Sequence, residues 1–436
     1  MSREMVDSGF AWMGNIPADW SMTRIQTQLC EINEKNNPVR VSDVLSLTNT
    51  RGVIPYEDKG NVGNKSKENV EDYKIAYPDT IVANSMNILI GSVGYCKYYG
   101  CVSPVYYVFA PTKCANIHFM DYFMSMTAFQ KELRRNANGI LEIRMRVSVA
   151  DILKKKMALP SMDEQRQIVS FLDRKCSAID TAIEKTKKSI EKLEEYKKAV
   201  ITKAVTKGLD PDAKMKDSGI EGLGMIPDTW SVCPMKTLFS FGKGLSITKD
   251  DLTENGKPVL SYGQIHSKTN PKVSTPDELL RYVPEDKAKI QSLTSIGDFI
   301  FADTSEDRDG CGNCNYIDTE GIYAGYHTII AKAKGITDNK YFGYLFGTDA
   351  WRFQMRRELT EVKLYSVSQK VLKNTVILLP TDSDRNRIVT FLDKKCKSID
   401  TLISKKVETI SKWEEYKKSL IYYAVTGKID CRNEAV

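Results

Sequence analysis

Two long stretches of the chain carry a seam of positions spaced alternately three and four residues apart, with Lys and Glu between them. The first seam comprises Cys176, Ile179, Ile183, Thr186, Ile190, Leu193, Lys197, Val200 and Ala204, and the second comprises Cys396, Ile399, Ile403, Lys406, Ile410, Trp413, Lys417, Leu420 and Ala424. This spacing predicts amphipathic helices of the coiled-coil type. Asp163 and Glu164 suit the start of the first helix, and Gly208 and Gly427 suit the two helix ends.

The two helical stretches are copies of one sequence. Residues 168–210 overlay residues 388–430 after a shift of 220 positions, with more than half of the positions identical. A second repeat, with another shift, relates DSGFAWMGNIPADW (7–20) to DSGIEGLGMIPDTW (217–230). The segments between these repeats, about 22–158 and 232–378, share little. Since the N-terminal MSREMVDSG supplies the continuation that is absent after AVTGKID, the repeat is effectively circular.

A helix of some 40 residues would be a rod of roughly 60 Å that cannot bury its own stripe. We therefore expect the two helices to pair, and we expect antiparallel pairing because a whole globular unit connects the end of one to the start of the next. The predicted pairing residues are Ile179, Ile183, Ile190, Leu193, Val200, Ile399, Ile403, Ile410, Trp413 and Leu420. The alternative is two separate helices, each docked on its own globular unit.

Both variable segments have short β-branched and aromatic runs broken by Gly and Pro, as in residues 74–113 and 296–334. Such runs are typical of strands and turns. Each is followed by a shorter helical stretch, 117–136 and 338–359. The predicted fold class is α+β: two globular units with twisted sheets, separated by two long helices that form an antiparallel coiled coil with pseudo-two-fold symmetry.

The sequence contains no pattern that builds an active site, so we predict no catalytic residue and no metal ligand. Its three histidines lie far apart, and the Cys311–Cys314 pair lacks the second pair that structural zinc needs, so reduced cysteines in a turn are the better interpretation. Gly242 and Gly244 are not part of a phosphate-binding loop motif. A non-enzymatic protein is expected.

Composition and charge are compatible with a DNA-binding protein without demanding one. The 436 residues carry a net charge of +7, and ten cysteines are scattered without a disulfide pattern. The N-terminus has no signal-peptide pattern, and no apolar run reaches the roughly 20 residues that span a bilayer. We expect a cytoplasmic protein that does not enter the membrane.

Basic side chains follow the sheet of each variable unit, where they suit phosphate contact, and polar side chains nearby suit base edges. A solvated helix face is the alternative. The predicted DNA-binding residues are Lys131, Arg134, Arg135, Arg144, Arg146, Lys243, Gln264, His266, Arg352, Arg356, Arg357 and Lys363.

Several motifs together resemble the specificity subunit of Type I restriction-modification systems. They are the DSG…G.IP..W opening of each half, Leu159-Pro160 followed by Q..IV.FLD at the helix start, the EEYKK…AVT helix end, and the strings GLSITKDDL, YGQI and AGYHT. The second helix start departs from the pattern, because Arg385-Asn386 replaces Glu164-Gln165.

The resemblance implies a target recognition domain at residues 1–160, a spacer helix at 161–208, a second target recognition domain at 209–380, a second spacer helix at 381–430 and a tail at 431–436. It implies that the two domains read the halves of a bipartite, asymmetric site in double-stranded DNA. Half-sites one DNA turn apart are separated by roughly 34–36 Å, which the predicted rod can span.

The implied partners are two methyltransferase subunits docked on the helices, and motor-nuclease subunits. Those partners, rather than this chain, would use S-adenosylmethionine, ATP and Mg²⁺. Two other interpretations stay open: a coiled-coil scaffold whose globular units bind proteins, and an orphan or silent specificity cassette without an active partner complex.

Overall fold

A computed structural model of the protein describes residues 3–48, 51–60, 69–113, 115–135, 146–335, 339–357 and 365–432. The chain divides into two units, one formed by Met1–Lys187 with Val407–Val436 and the other by Lys188–Lys406. We call them unit 1 and unit 2. Each unit contains one variable segment and one part of each long helix, so the division falls inside the helices and not at their ends.

The elements of the first half of the chain are β1 (Met5–Asp7), β2 (Asn15–Pro17), β3 (Ser21–Arg24), β4 (Leu29–Ile32), β5 (Leu45–Thr48), β6 (Gly52–Pro55), β7 (Lys74–Ala76), β8 (Thr80–Asn84), β9 (Val93–Cys96), β10 (Gly100–Val102), β11 (Tyr106–Pro111), α1 (Ile117–Ser125), α2 (Thr127–Arg134), α3 (Val149–Lys154), β12 (Lys156–Leu159) and the long helix α4 (Met162–Lys207).

The elements of the second half are β13 (Met215–Asp217), β14 (Met225–Pro227), β15 (Ser231–Pro234), α5 (Met235–Leu238), β16 (Phe239–Lys243), β17 (Lys257–Leu260), α6 (Tyr262–Ile265), β18 (Arg281–Val283), β19 (Phe299–Ala302), β20 (Thr304–Ser305), β21 (Cys314–Tyr316), β22 (Tyr323–Ala324), β23 (Thr328–Ala333), α7 (Lys340–Phe346), α8 (Asp349–Arg356), β24 (Tyr365–Ser366), α9 (Gln369–Asn374), β25 (Val376–Leu379) and the long helix α10 (Asp382–Val425). The predicted α+β class is confirmed.

The main sheets of the two units have the same strand order although their sequences differ. In unit 1 the order is β4-β11-β8-β9, and in unit 2 it is β16-β23-β19-β21, with every neighbouring pair antiparallel. The corresponding strands of the two sheets therefore adopt the same arrangement although their residues differ. The two variable segments build one architecture.

The repeated sequence motifs form repeated local structures. Strands β1 and β2 pair with Met5 opposite Pro17, and β13 and β14 pair with Met215 opposite Pro227. The pair β3–β12 places Ser21 opposite Leu159, just as β15–β25 places Ser231 opposite Leu379. These two small sheets join each variable segment to the helix that follows it.

Each helical stretch predicted after the sheet is broken in two. Met126 has the extended backbone angles φ −64° and ψ 128°, which end α1 before α2 begins. In unit 2, Thr348 caps α8 by accepting a hydrogen bond from the Trp351 amide at 3.3 Å. The two short helices of each unit then cover one face of its sheet.

The long helices pair antiparallel within each unit, as predicted. In unit 1 a single buried core contains Ile168, Leu172 and Ile183 of the first half of α4 together with Leu420 and Val425 at the end of α10. In unit 2 the core contains the end of α4 and the start of α10, namely Ala204, Val205, Ile388, Leu392 and Cys396.

The structure explains the two lysines of the seams. In unit 1 the Lys417 ammonium lies 2.7 Å from both carboxylate oxygens of Asp180, and in unit 2 Lys197 contacts Asp400 in the same way. Lys197 and Lys417 are equivalent residues of the repeat, as are Asp180 and Asp400. Each seam lysine is therefore an interhelical ion-pair partner at the edge of an apolar contact.

Burial along the seams is uneven. Ile179, Ile183, Ile399 and Leu420 are at most 6% exposed. Trp413 is 37% exposed. The remaining predicted pairing residues are half-buried, namely Ile190, Leu193, Val200, Ile403 and Ile410. Equivalent seam positions of the two helices therefore differ in burial, as Ile183 and Ile403 show.

Candidate nucleic-acid interface

In unit 1, four of the predicted basic side chains are exposed at and beyond the C-terminal end of α2. They are Lys131, Arg134, Arg135 and Arg146. The Arg135 side chain is 72% exposed and forms an ion pair with Glu132 at 3.1 Å. Exposed cations at a helix end can approach phosphate oxygens. Arg144 lies outside the described residues.

In unit 2, the corresponding arginines differ in their surroundings. Arg352 is buried, and its Nε donates to the Phe346 carbonyl at 2.7 Å. Burial also lowers the pKa of its guanidinium. Arg352 therefore lies in the protein interior in this structure and is not placed to contact DNA, which departs from the prediction. Its position on α8 gives the reason, because it shares the inward face of the helix with Trp351 and Met355.

Arg356 holds a loop rather than facing solvent. Its side chain is 15% exposed and pairs with Asp349 at 2.8 Å, while Nη2 donates to the Asp309 carbonyl at 2.7 Å. Arg357 is exposed and lies 3.4 Å from Glu221. Lys363 is outside the described residues. On α8, Arg357 is the predicted residue that remains open to solvent.

The polar residues Gln264 and His266 are used internally. The Gln264 side-chain oxygen accepts the Ser261 amide at 3.2 Å and caps α6. The His266 ring bonds on both nitrogens, with Nε2 2.8 Å from the Thr304 carbonyl and Nδ1 3.0 Å from Asn313 Nδ2. Both contacts are satisfied when Nε2 carries the proton. His266 thus orients the 304–313 loop instead of presenting free donors.

Lys243 borders a polar cavity that the sequence did not reveal. The cavity has a volume of about 430 Å³ and is lined by Lys243, Ser246, Asp303, Tyr326, His327, Ser366, Ser368 and Gln369 among others. Tyr262 lies beside it, with its ring centroid 5.5 Å from that of Tyr326 and 5.4 Å from that of His327. We call Tyr262, Tyr326 and His327 the aromatic cluster of unit 2.

The aromatic cluster offers both stacking surfaces and hydrogen-bonding groups. The His327 side chain is 58% exposed, and its Nδ1 lies 3.4 Å from Asp303. His327 has a positive φ of 53°, which turns its side chain outward at the start of β23. The string AGYHT contains two of the three residues, so the signal was present in the sequence, but nothing linked it to Tyr262 in the YGQI string.

Each globular unit is fastened to its long helix by two equivalent hydrogen bonds. The Trp20 indole donates to Glu164 at 2.9 Å, and Trp230 donates to Asp384 at 3.1 Å. Asp384 is thus the counterpart of Glu164, and the expectation that Arg385-Asn386 replaces Glu164-Gln165 is wrong by one position. The carboxylate at the helix start is retained because it receives the indole N–H.

The second fastening involves the aspartate of the FLD motif. Tyr122 donates to Asp173 at 2.7 Å, and Tyr344 donates to Asp393 at 2.5 Å. The pKa of both phenols is raised, mainly by burial and in second place by the hydrogen bond to the carboxylate. The shared motifs therefore hold two different recognition surfaces on the helices in the same manner.

Comparison with known families decides the assignment. Residues 17–195 and 227–412 match the family described as Type I restriction modification DNA specificity domain, and these ranges cover most of the chain. The chain belongs to this family. Each matched range takes in one variable segment and most of the long helix that follows it.

Two proteins with sequences similar to this chain are described as specificity subunits. The chain is 28% identical over 288 residues to the Type I restriction enzyme MjaVIII specificity subunit of Methanocaldococcus jannaschii, which covers 64% of this chain and 63% of the relative. A putative MjaX specificity subunit of the same organism is 24% identical over 72% of this chain and 67% of the relative.

Solved structures share the fold at low identity. One chain, from a study of complex assembly and conformational transition of the type I R-M system, matches with a TM-score of 0.70 and 13% identity, over 95% of this chain and 99% of that one. The HsdS subunit from Thermoanaerobacter tengcongensis matches with a TM-score of 0.51 and 13% identity, over 95% and 98%. The specificity-subunit fold is therefore shown.

Specificity subunits of type I systems are non-catalytic DNA-recognition subunits. Within the described residues of this family member, no three His, Cys, Asp or Glu side chains are grouped to hold a metal ion. A search of the same residues finds no helix long and apolar enough to cross a bilayer.

Proposed function

We propose that this chain is the non-catalytic specificity subunit of a type I restriction-modification enzyme, in which each globular unit reads one half of a bipartite, asymmetric DNA site. The observation that carries the proposal is that the two variable segments have the same strand order although their sequences share little. A common architecture with different surface residues is what two readers of different half-sites need. Repeated helices that hold the two readers account for the rest of the chain.

The exposed cations supply sequence-independent contact, and the loops supply base readout. In unit 1 the phosphate contacts come from Lys131, Arg134, Arg135 and Arg146. In unit 2 they come from Arg357 and from Lys243, which lines the same cavity as Tyr326 and His327 of the aromatic cluster. Phosphate contacts position a protein on the duplex, whereas contacts to base edges carry specificity.

The long helices form the dock for two methyltransferase subunits, because each helix repeats the same surface sequence. Motor-nuclease subunits join that complex. Cofactor chemistry, with S-adenosylmethionine, ATP and Mg²⁺, belongs to those partners. The role of this chain is to choose the DNA site at which they act.

The decisive experiment is co-expression of the chain with its neighbouring methyltransferase subunit, followed by mapping of modified adenines across the host DNA. The expected result is one split motif of two short specified halves around an unread gap. A chimera in which residues 232–378 come from another specificity subunit should change one half of the motif and leave the other intact. Co-purification without modification would favour an inactive cassette, and no co-purification would favour a scaffold.

A binding experiment tests the phosphate contacts of unit 1. Replacing Arg134 and Arg135 with Ala should weaken DNA binding to all sequences alike and reduce the slope of log K against log salt by about 2, since each phosphate contact contributes about 0.9. Arg166→Ala is the matched control, because Arg166 is a 68% exposed arginine on α4 that is not among the proposed phosphate contacts. An unchanged slope in the double variant would refute this placement.

A further inference from the structure

Unit 1 contains an arginine in a defined recess at the junction of the globular unit and the helix. The Arg3 side chain is only 8% exposed. Its Nη2 lies 2.7 Å from Asp19 Oδ1 and 3.0 Å from Glu164 Oε2, and its Nη1 also bonds Glu164. The guanidinium carbon lies 5.5 Å from the centre of the Trp20 ring. The recess thus supplies carboxylates and an aromatic ring to one guanidinium.

Unit 2 builds the same recess without the arginine. The shift of 210 positions that relates Met5 to Met215 relates Arg3 to Ala213, and it relates Asp19 and Trp20 to Thr229 and Trp230. Asp384 replaces Glu164, and it accepts the indole hydrogen bond at 3.1 Å. Ala213, Thr229, Trp230 and Asp384 together line a cavity of about 360 Å³.

We propose that this cavity of unit 2 is a binding site for a guanidinium group, filled by the arginine side chain of a protein partner. Asp384 and Trp230 would receive that arginine as Glu164 and Trp20 receive Arg3 in unit 1. The two halves of the repeat then differ in a defined way: one recess is closed by the chain itself, and the other is closed from outside.

The charges around the cavity are compatible with a cation. Arg387 lies on its rim, but its guanidinium is 4.0 Å from Asp384, and its side chain is 65% exposed. Lys207 is engaged by the Met225 carbonyl. Asp210 and Asp228 add two further carboxylates to the lining, and Lys214 adds one ammonium group. An entering guanidinium therefore meets Asp384 without having to break a short ion pair.

The geometry favours a planar guanidinium over a compact ammonium. Arginine can pair with a carboxylate through several N–H groups while its plane contacts an aromatic face, whereas lysine offers a point charge. The cavity lies where α4 ends and α10 begins. Resting on the proposed function, which places the methyltransferase subunits on these helices, we assign the arginine to that partner.

The first test uses the whole chain labelled with ¹⁵N and follows the tryptophan indole resonances, assigned with Trp230→Phe and Trp20→Phe. Methylguanidinium, titrated from about 10 to about 500 mM, should shift the Trp230 signal progressively, and methylammonium at the same concentrations should shift it much less. The Trp20 signal should stay in place because Arg3 occupies its recess, and it should become sensitive in Arg3→Ala. A single ion pair with ring contact gives a Kd of roughly 30–200 mM, so no response of Trp230 up to about 500 mM methylguanidinium would overturn the site.

The second test asks where the arginine comes from. Ala213→Arg with Thr229→Asp recreates the unit 1 recess in unit 2, and it should abolish the methylguanidinium response and weaken binding of the methyltransferase subunit by about tenfold or more. Ala213→Gln with Thr229→Asn is the uncharged control, and its partner affinity should stay near that of the parent protein. If the parent protein responds to methylguanidinium, but the variant with Ala213→Arg and Thr229→Asp binds the methyltransferase subunit as tightly as the parent does, the methyltransferase is refuted as the source of the arginine.

These outcomes are separable from the proposed function. If the mapped methylation shows no split motif, DNA specificity fails whatever the indole resonances do. If the motif is found but Trp230 ignores methylguanidinium, the guanidinium site alone fails.

Discussion

Equivalent isoleucines of the two helices should contribute unequally to stability, which makes them a test of helix packing. Ile183 and Ile403 occupy the same position of the repeat, 220 residues apart. Ile183 is 6% exposed and belongs to the core of unit 1, whereas Ile403 is half-buried. Burial, rather than motif position, should set the cost of removing the side chain.

The magnitudes follow from the buried surface. Truncation of a buried isoleucine to alanine costs about 2–5 kcal/mol, so Ile183→Ala should lower the free energy of unfolding by about 3 kcal/mol. The Ile403 side chain is in partial contact with water in the folded protein as well, so it buries less apolar surface on folding. Ile403→Ala should therefore cost only about 1 kcal/mol. For units of this size, the melting temperature falls by roughly 2–4 °C per kcal/mol.

The assay is urea unfolding followed by circular dichroism, with hydrogen exchange to report which unit opens. The denaturant slope should be the same in both variants, so that the shift in midpoint reports stability. Ile183→Ala should loosen the exchange protection of the first half of α4. Equal losses of stability in the two variants would refute burial as the determinant of the cost, and a larger loss in Ile403→Ala would reverse the order.

Three further predictions concern the joints of the units. Gly427→Ala should destabilise the protein by more than about 1 kcal/mol, because Gly427 has φ +72° and an added Cβ would lie 2.4 Å from Pro17; Gly9→Ala, at φ +74° with nothing within 4 Å, should cost less in the same thermal melts. Burial raises the pKa of Asp121 to about 7, and its Oδ1 is buried without a partner. The carboxyl ionises near pH 4 in the unfolded chain but only near pH 7 in the folded protein, so the stability of the protein falls as pH rises from about 4 to 7. Asp121→Asn should therefore raise the melting temperature at pH 8 and have little effect at pH 4. Tyr344→Phe should cost about 1 kcal/mol, because Asp393 loses the phenol donor at one oxygen but keeps Lys340 at 2.8 Å on the other. An unchanged melting temperature would show that the 2.5 Å bond adds nothing to stability.

Helices and repeats were predictable because their signals are periodic and local. The start of α4 at Met162, its end before Gly208 and the antiparallel pairing all follow from heptad spacing and two copies of one sequence. The apolar seam also predicted which side chains pack, but it could not show why Lys197 and Lys417 belong to it. Their aspartate partners lie on the other helix, some 200 residues away in the chain.

The recognition surface was less predictable because basic residues on a short amphipathic helix face either way. Arg135 points to solvent, whereas Arg352 turns inward to the Phe346 carbonyl. Arg135 follows the last residue of α2, whereas Arg352 lies in the middle of α8, and the sequence pattern of α8 is too short to define its inward face. His266 illustrates a second limit, since its partners come from a loop that is distant in sequence.

In unit 1 the first segment of the chain packs on the end of α10. The Tyr422 hydroxyl donates to the Met13 carbonyl at 3.1 Å, and Gly427 lies against Pro17 and Trp20. In unit 2 the equivalent hairpin follows α4 directly in sequence. The two halves of the repeat are therefore joined in the same way, once by a covalent connection and once by packing. A circular permutant that links residue 432 to residue 3 and opens between Gly208 and Met215 should fold to the same structure. Its two recognition units would then follow each other in the opposite order along the gene.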